Sequence, residues 1–162
     1  MTAPAFSLKL NTRELDNLCA ELVADLEAPV RPAAQAMTQV LYDRVIANVG
    51  RLRRKTGNLA ASIYQAYSEG NSGPGRAVYH ISWNAKKAPH GHLVEFGHLQ
   101  RYEITFDPQT KRFTTHKDRP LPTPKHIAAQ PFVRPAMAVA EQALDAGRDR
   151  YFAELEAKGV VK

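Results

Sequence analysis

Leu15, Leu18, Cys19, Leu22, Val23 and Leu26 recur at the three- and four-residue spacing of a single helix face. Just before them, Asn11-Thr12-Arg13-Glu14 has the form of a capping box, with Asn11 as the cap and Glu14 reaching back to it. An amphipathic helix over 12–27 follows, its apolar face expected to pack within the same chain. Pro29 and Pro32 interrupt the pattern, and Pro32 suits the first turn of a second helix. Ala33, Ala36, Met37, Val40, Leu41, Val45 and Val49 make that helix's stripe, with Gly50 as its stop. Alanines at the start of the stripe predict close approach to another surface.

Beyond a turn at Thr56-Gly57-Asn58 the period changes from helical to two. Residues 63–68 read as a strand, and Ala77, Tyr79, Ile81 and Trp83 alternate with Val78, His80 and Ser82. The two segments should pair as a hairpin around 69–75, "EGNSGPG", a long and mobile tip. Tyr102, Ile104 and Phe106 alternate with Glu103 and Thr105, then Asp107-Pro108-Gln109-Thr110 supplies a turn and 111–116 returns. The segment "DRPLPTPKHIAAQP" has four prolines and no periodicity, which predicts an extended connection and no regular element. Phe132, Val133, Met137, Val139, Ala140, Leu144, Phe152 and Leu155 then mark a long helix over 133–158. Its polar side carries Glu141, Asp145, Arg148, Asp149 and Glu154, and Gly147 weakens its middle by about 1 kcal/mol relative to alanine.

Helices and strands in separate blocks indicate an α+β fold. The expected architecture is a small antiparallel sheet of about four strands, formed by two hairpins. Two N-terminal helices and the long C-terminal helix should cover one face. One domain over 1–162 accommodates this: a helical part (1–50), the sheet with its loops (56–116), the Pro-rich connection (117–131) and the final helix (132–158).

Composition adds exclusions. Hydrophobic residues make up 44% and charged residues 23%, as in ordinary globular proteins. No run of about eighteen apolar residues is present, so no membrane partner is expected. The N-terminus lacks the plan of a secretion signal. A single cysteine, Cys19, forbids an internal disulfide, and a reducing cytoplasmic folding compartment is the default. The 22 basic against 16 acidic residues give +6, which permits contact with nucleic acid without demanding it. Arg51, Arg53, Arg54 and Lys55 concentrate that charge. They suit either a solvated helix end or a sequence-independent phosphate contact. Base readout is not indicated, because no helix gathers Arg, Asn and Gln on one face.

The densest candidate chemistry is "APHGHLVEFGHLQ", with His90, His92, Glu95 and His98 within nine positions. A small metal-dependent nucleic-acid enzyme could use such a cluster. The spacing opposes it: helical zinc ligands stand four apart, whereas His92 and His98 are six apart. Pro89 and Gly97 instead bracket one helical turn with Leu93, Val94 and Phe96 expected to be buried. No Gly-x-Ser-x-Gly frame or phosphate loop occurs, and Cys19 lies on an apolar helix side where it should be inert. No enzyme and no cofactor are therefore expected.

Three segments in order, "TGNLAASI", "HLVEFGH" and "QPFVRPAM", are more specific together than apart. The chain resembles the neck or head–tail joining family of long-tailed bacteriophages, also described as tail-completion or minor tail proteins. The motif residues are Thr56, Gly57, Asn58 and Leu59, then Val94, Glu95, Phe96 and Gly97, then Pro131, Phe132, Arg134 and Pro135. His98 stands where that family usually has threonine or serine.

The resemblance implies a structural virion protein at the head–tail junction, assembled in the bacterial host cytoplasm as a homo-oligomeric ring. Head-closure, tail-terminator or tail-tube proteins would be its partners. A role as the tail terminator itself is the alternative within the same biology. Arg51, Arg53, Arg54 and Lys55 would then face the channel that DNA crosses. Glu95 and Arg134 are the charged members of otherwise apolar motifs, and they are expected to pair.

Overall fold

A computed structural model of the chain describes residues 12–52, 57–110 and 112–161. Helices α1 (Arg13–Glu27) and α2 (Val30–Gly50) come first, and a 3₁₀ turn at Ala60–Ser62 leads into β1 (Ile63–Tyr67). The chain continues through β2 (Tyr79–Trp83), a short helix α3 (Gly91–Phe96), β3 (His98–Asp107) and β4 (Arg112–Ile127). A 3₁₀ segment, Arg134–Val139, opens directly into α4 (Ala140–Ala157). The fold is α+β, with two antiparallel hairpins. They form two separate two-stranded sheets, β1–β2 and β3–β4.

Helix α2 is the axis of the body, with α4, the β1–β2 hairpin and the 3₁₀ segment before α4 packed around it. The core gathers Val45 and Val49 of α2, Leu59, Ile63, Ala88, Phe132 and Ala136, with Ile81, Trp83 and Val94 at its edge. Phe132 is fully buried, and its ring meets Trp83 edge-on at 5.8 Å between centroids. Burying such a ring stabilises by about 2–3 kcal/mol, so Phe132 is a principal anchor of the last third of the chain.

Helix α4 meets α2 through small residues. Ala143, Gly147 and Leu155 are buried, at fourfold spacing along one face. A Cβ built on Gly147 would stand 2.2 Å from Met37 Cγ and 3.3 Å from the Ala33 carbonyl oxygen. The glycine is thus the crossing point that the alanine-rich start of α2 foreshadowed, and its cost in helix propensity is offset by the close approach. Gly147→Ala is expected to lower stability by about 1 kcal/mol, because displacing Met37 outweighs the propensity gain. Equilibrium urea unfolding with an unchanged m-value would show it; a stabilised variant would contradict the crossing.

Packing this tight leaves larger residues outside. Met137, Leu144 and Phe152, expected in the buried stripe of the last helix, are 64%, 59% and 47% exposed. The expectation for α1 also needs correction. Leu15, Leu18, Leu22, Val23 and Leu26 are all exposed, and no residue of α1 is buried. Helices α2 and α4 pack on each other through their small residues, and the apolar face of α1 is left uncovered. Its C-terminal end is tied down. The Tyr151 hydroxyl donates to the Leu26 carbonyl at 3.0 Å, and Lys158 Nζ donates to Asp25 at 2.8 Å. Asn11, the expected cap, lies outside the described residues.

The first hairpin pairs Ile63 with Trp83 through Tyr67 with Tyr79, as the alternation predicts. Its tip is closed by its own bonds: the Ser72 hydroxyl donates to the Ser68 carbonyl, and Gly73 and Arg76 exchange backbone hydrogen bonds at 2.9 Å. In the second hairpin, β4 runs on through the Pro-rich segment to Ile127, where a connection without regular structure was expected. His98 pairs with Ile127 and Tyr102 with Pro120, with register shifts on either side of Tyr102. Pro120, Pro122 and Pro124 stand two apart, so their missing donors fall on one edge of the strand. A strand with a single neighbour tolerates that. At the far end the Asp107 carboxylate accepts from Gln109 N–H and the Thr110 hydroxyl. These bonds, the Thr110 hydroxyl's above all, lower its pKa.

Candidate functional site

Two of the three sequence motifs converge on one carboxylate. Glu95 lies in α3, a helix of only six residues, and is 2% exposed. The backbone N–H groups of Phe132, Val133 and Arg134 donate to it at 2.7, 3.0 and 3.2 Å. These amides lead into the 3₁₀ segment, Arg134–Val139, that opens into α4. A helical start has no partners of its own for its first donors, and here a side chain 37 to 39 residues earlier supplies them. Arg134 Nε adds a charged hydrogen bond at 3.1 Å, and Arg134 Nη2 donates to the Glu95 carbonyl at 2.8 Å. The expected Glu95–Arg134 pair is therefore present, as one part of a larger clasp.

Neighbouring motif residues strengthen it. Gln130 N–H donates to the Val94 carbonyl at 2.8 Å. The Arg134 guanidinium sits 5.2 Å from the centroid of the Phe96 ring. Gly97 has φ +73° and passes so close to the returning chain that a Cβ would lie 2.7 Å from the Ile127 carbonyl oxygen. Asn48 of α2 completes the arrangement from below, its amide donating to the Phe132 carbonyl at 2.9 Å.

Burial alone would raise the Glu95 pKa, but the three backbone donors and Arg134 together outweigh it and hold the group below the ordinary glutamate value. The carboxylate is thus ionised and fully engaged near neutral pH. This corrects the expected burial within α3. Leu93 and Val94 are half-buried, whereas Phe96 is 65% exposed and Glu95 takes the inward position. Three amides and a guanidinium turn the charged side chain inward, and the phenyl ring goes to the opposite side.

The histidines do not join the clasp. His90 and His92 are exposed and His98 is half-buried. Among the described residues, no group of three or more His, Cys, Asp or Glu side chains is placed to hold a metal ion. Glu95, the one carboxylate of that cluster, has its oxygens occupied by hydrogen bonds.

The first motif lies across the core. Gly57 has φ +78° and Asn58 is exposed, while Leu59 is 6% exposed and packs in the core beside Phe132. Thr56 lies outside the described residues, as do Arg53, Arg54 and Lys55. Arg51 caps the C-terminus of α2. With Asn48, Pro131 and Pro135 it lines an open hollow of about 400 Å³ beside the clasp.

The family model described as "Bacteriophage HK97-gp10, putative tail-component" matches residues 14–97, just over half of the chain. The chain belongs to this family. It is a structural tail protein of a bacteriophage, with a place in the virion and other phage structural proteins for partners. Among curated proteins and among solved structures, nothing matches it.

In a tail component the working sites are surfaces, and two stand out. One is the uncovered apolar face of α1. The other is the β3–β4 arm, which packs on itself far more than on the body. Tyr102, Ile104 and Phe106 project from one face of the arm and are joined by Phe113, whose ring meets that of Phe106 at a tilt, 4.8 Å between centroids. The opposite face is polar: Thr105 bonds His116 at 2.8 Å, and Arg119 meets Glu103 at 3.5 Å. Sequence reasoning missed Asn48 and the triple backbone contact. An asparagine one residue before Val49, in a stripe that otherwise buries aliphatic groups, was the available signal for the first. No helix of the described residues is long and apolar enough to cross a membrane.

Proposed function

We propose that this tail component acts in head–tail joining, as a ring between head-closure and tail components. The observation that carries this reading is the contrast between a closed body and open appendages. The clasp pairs the buried Glu95 carboxylate with the amides of Phe132, Val133 and Arg134, and α2, α4 and the first hairpin pack on one another. Yet α1 and the second hairpin leave apolar faces in water. Exposed apolar surface of this kind marks a protein that is completed by its neighbours. Its partners are further copies of itself and the head-closure, tail-terminator or tail-tube proteins that adjoin a joint. The run containing Arg51, Arg53, Arg54 and Lys55, with the chain's net +6, suits sequence-independent contact with DNA passing through such a ring.

Electron microscopy of particles assembled without this protein tests the reading. Full heads beside separate, finished tails are expected. Overlong tails would assign it to tail termination, and normal infectious virions would refute both roles.

A further inference from the structure

We infer that α1 of one copy docks on the β3–β4 arm of the next, apolar face to apolar face, and that this contact propagates the ring. The inference rests on the ring reading above and names the two surfaces that make it.

The first ground is complementary charge around complementary apolar patches. Helix α1 carries five acidic residues (Glu14, Asp16, Glu21, Asp25 and Glu27) and a single basic one, Arg13. Residues 98–127 carry six Lys and Arg against three Asp and Glu. Each surface presents apolar side chains amid charge mainly of one sign, acidic around Leu18, Leu22 and Val23 on the helix and basic around Ile104 and Phe106 on the arm. An apolar centre with a charged rim is the anatomy of a specific interface.

The second ground is what the same charges forbid. Two α1 helices laid together would set net negative against net negative, and two arms would set positive against positive. Pairing helix with arm is the arrangement in which both apolar faces are covered and the charges attract. Within one chain the two do not cover each other, since both faces remain exposed. A contact between two different patches is heterologous, and repeating it closes a ring when the rotation per subunit permits.

The chain provides its own probe. Cys19 is its sole cysteine and, contrary to the expectation that a covered helix side would make it inert, it is exposed on the open apolar stripe of α1. The full-length Ile104→Cys variant, treated with a short bismaleimide, is expected to give a ladder of dimers, trimers and higher species joined through positions 19 and 104. A Gly70→Cys variant, altered at the first hairpin's tip, should give none. Sedimentation supplies the second readout. Glu14→Lys with Glu21→Lys, or Lys117→Glu with Lys125→Glu, should each raise the concentration for half-assembly about tenfold. Combining all four substitutions should restore it, which also shows that the variants fold.

Several results would overturn the inference. Links between positions 19 and 104 inside monomers would mean that the arm covers its own helix. Dimers of the unmodified chain linked through Cys19 would mean that α1 pairs with itself. Oligomers indifferent to all four charges would leave the ring standing and remove this contact. A chain that stays monomeric at every concentration and never cross-links would remove the contact too, with the ring then judged on the particles alone.

Discussion

Replacing Glu95 by alanine is expected to lower the unfolding free energy by about 3–5 kcal/mol. The substitution strands three backbone donors, those of Phe132, Val133 and Arg134, at the start of a helical segment with no other partner for them. An unsatisfied buried donor costs about 1–3 kcal/mol, so the three amides dominate. Arg134 is 58% exposed, and solvent screening holds its share to about 1 kcal/mol or less. Arg134→Ala should therefore cost far less than Glu95→Ala. Urea unfolding of the two variants checks the ranking, and equal losses would mean that the ion pair, not the amide cradle, holds the clasp.

The same site sets a pH dependence. The folded pKa of Glu95 is depressed below its ordinary value of 4.5, so its stabilisation is complete above that value. It is lost as pH falls from there through the lower folded pKa, because the folded state must then take up a proton that the unfolded state already holds. Melting temperatures of the native chain and of Glu95→Gln should differ most near neutrality and converge as pH falls from 4.5 through the lower folded value. A constant gap down to acid pH would refute the assignment.

Gly97→Ala should be nearly as damaging, at about 3 kcal/mol or more. Two costs combine. Its φ of +73° and ψ of 173° lie in a region open essentially to glycine alone. The new methyl would also meet the Ile127 carbonyl oxygen at 2.7 Å and the Ala129 nitrogen at 2.8 Å, and backbone atoms cannot step aside as a flexible side chain can. Gly57 separates the two costs. It has φ +78° but no described residue close to where its Cβ would stand, so Gly57→Ala should cost only about 1–2 kcal/mol. Similar losses at both positions would show that backbone strain, and not collision, accounts for Gly97.

The elements themselves were readable because each has one dominant period. The first two helices and the first hairpin follow from apolar spacing, and the charged residues within apolar motifs announced the Glu95–Arg134 pair. Sequence letters cannot show where backbone amides point, so the three donors that make Glu95 indispensable were invisible. Proline hid the second half of β4, because the usual reading assumes that a strand needs donors on both edges. Gly147 read as a weakness for the same kind of reason: its value depends on Met37 and Ala33, more than a hundred residues away in sequence. Amphipathicity likewise foretold that α1 would want a partner and said nothing of whose.

The clasp also fixes what it costs to vary the arm. Gln130 bonds Val94 and His98 pairs with Ile127, so the excursion between them leaves and re-enters the body at a single point. Once both ends of an insertion are pinned, doubling its length adds only about 0.6 kcal/mol of closure entropy. The arm is thus a cassette on a fixed mount. Its reach and chemistry can be rewritten to suit a different neighbour while Glu95, Phe132 and the helices behind them stay as they are.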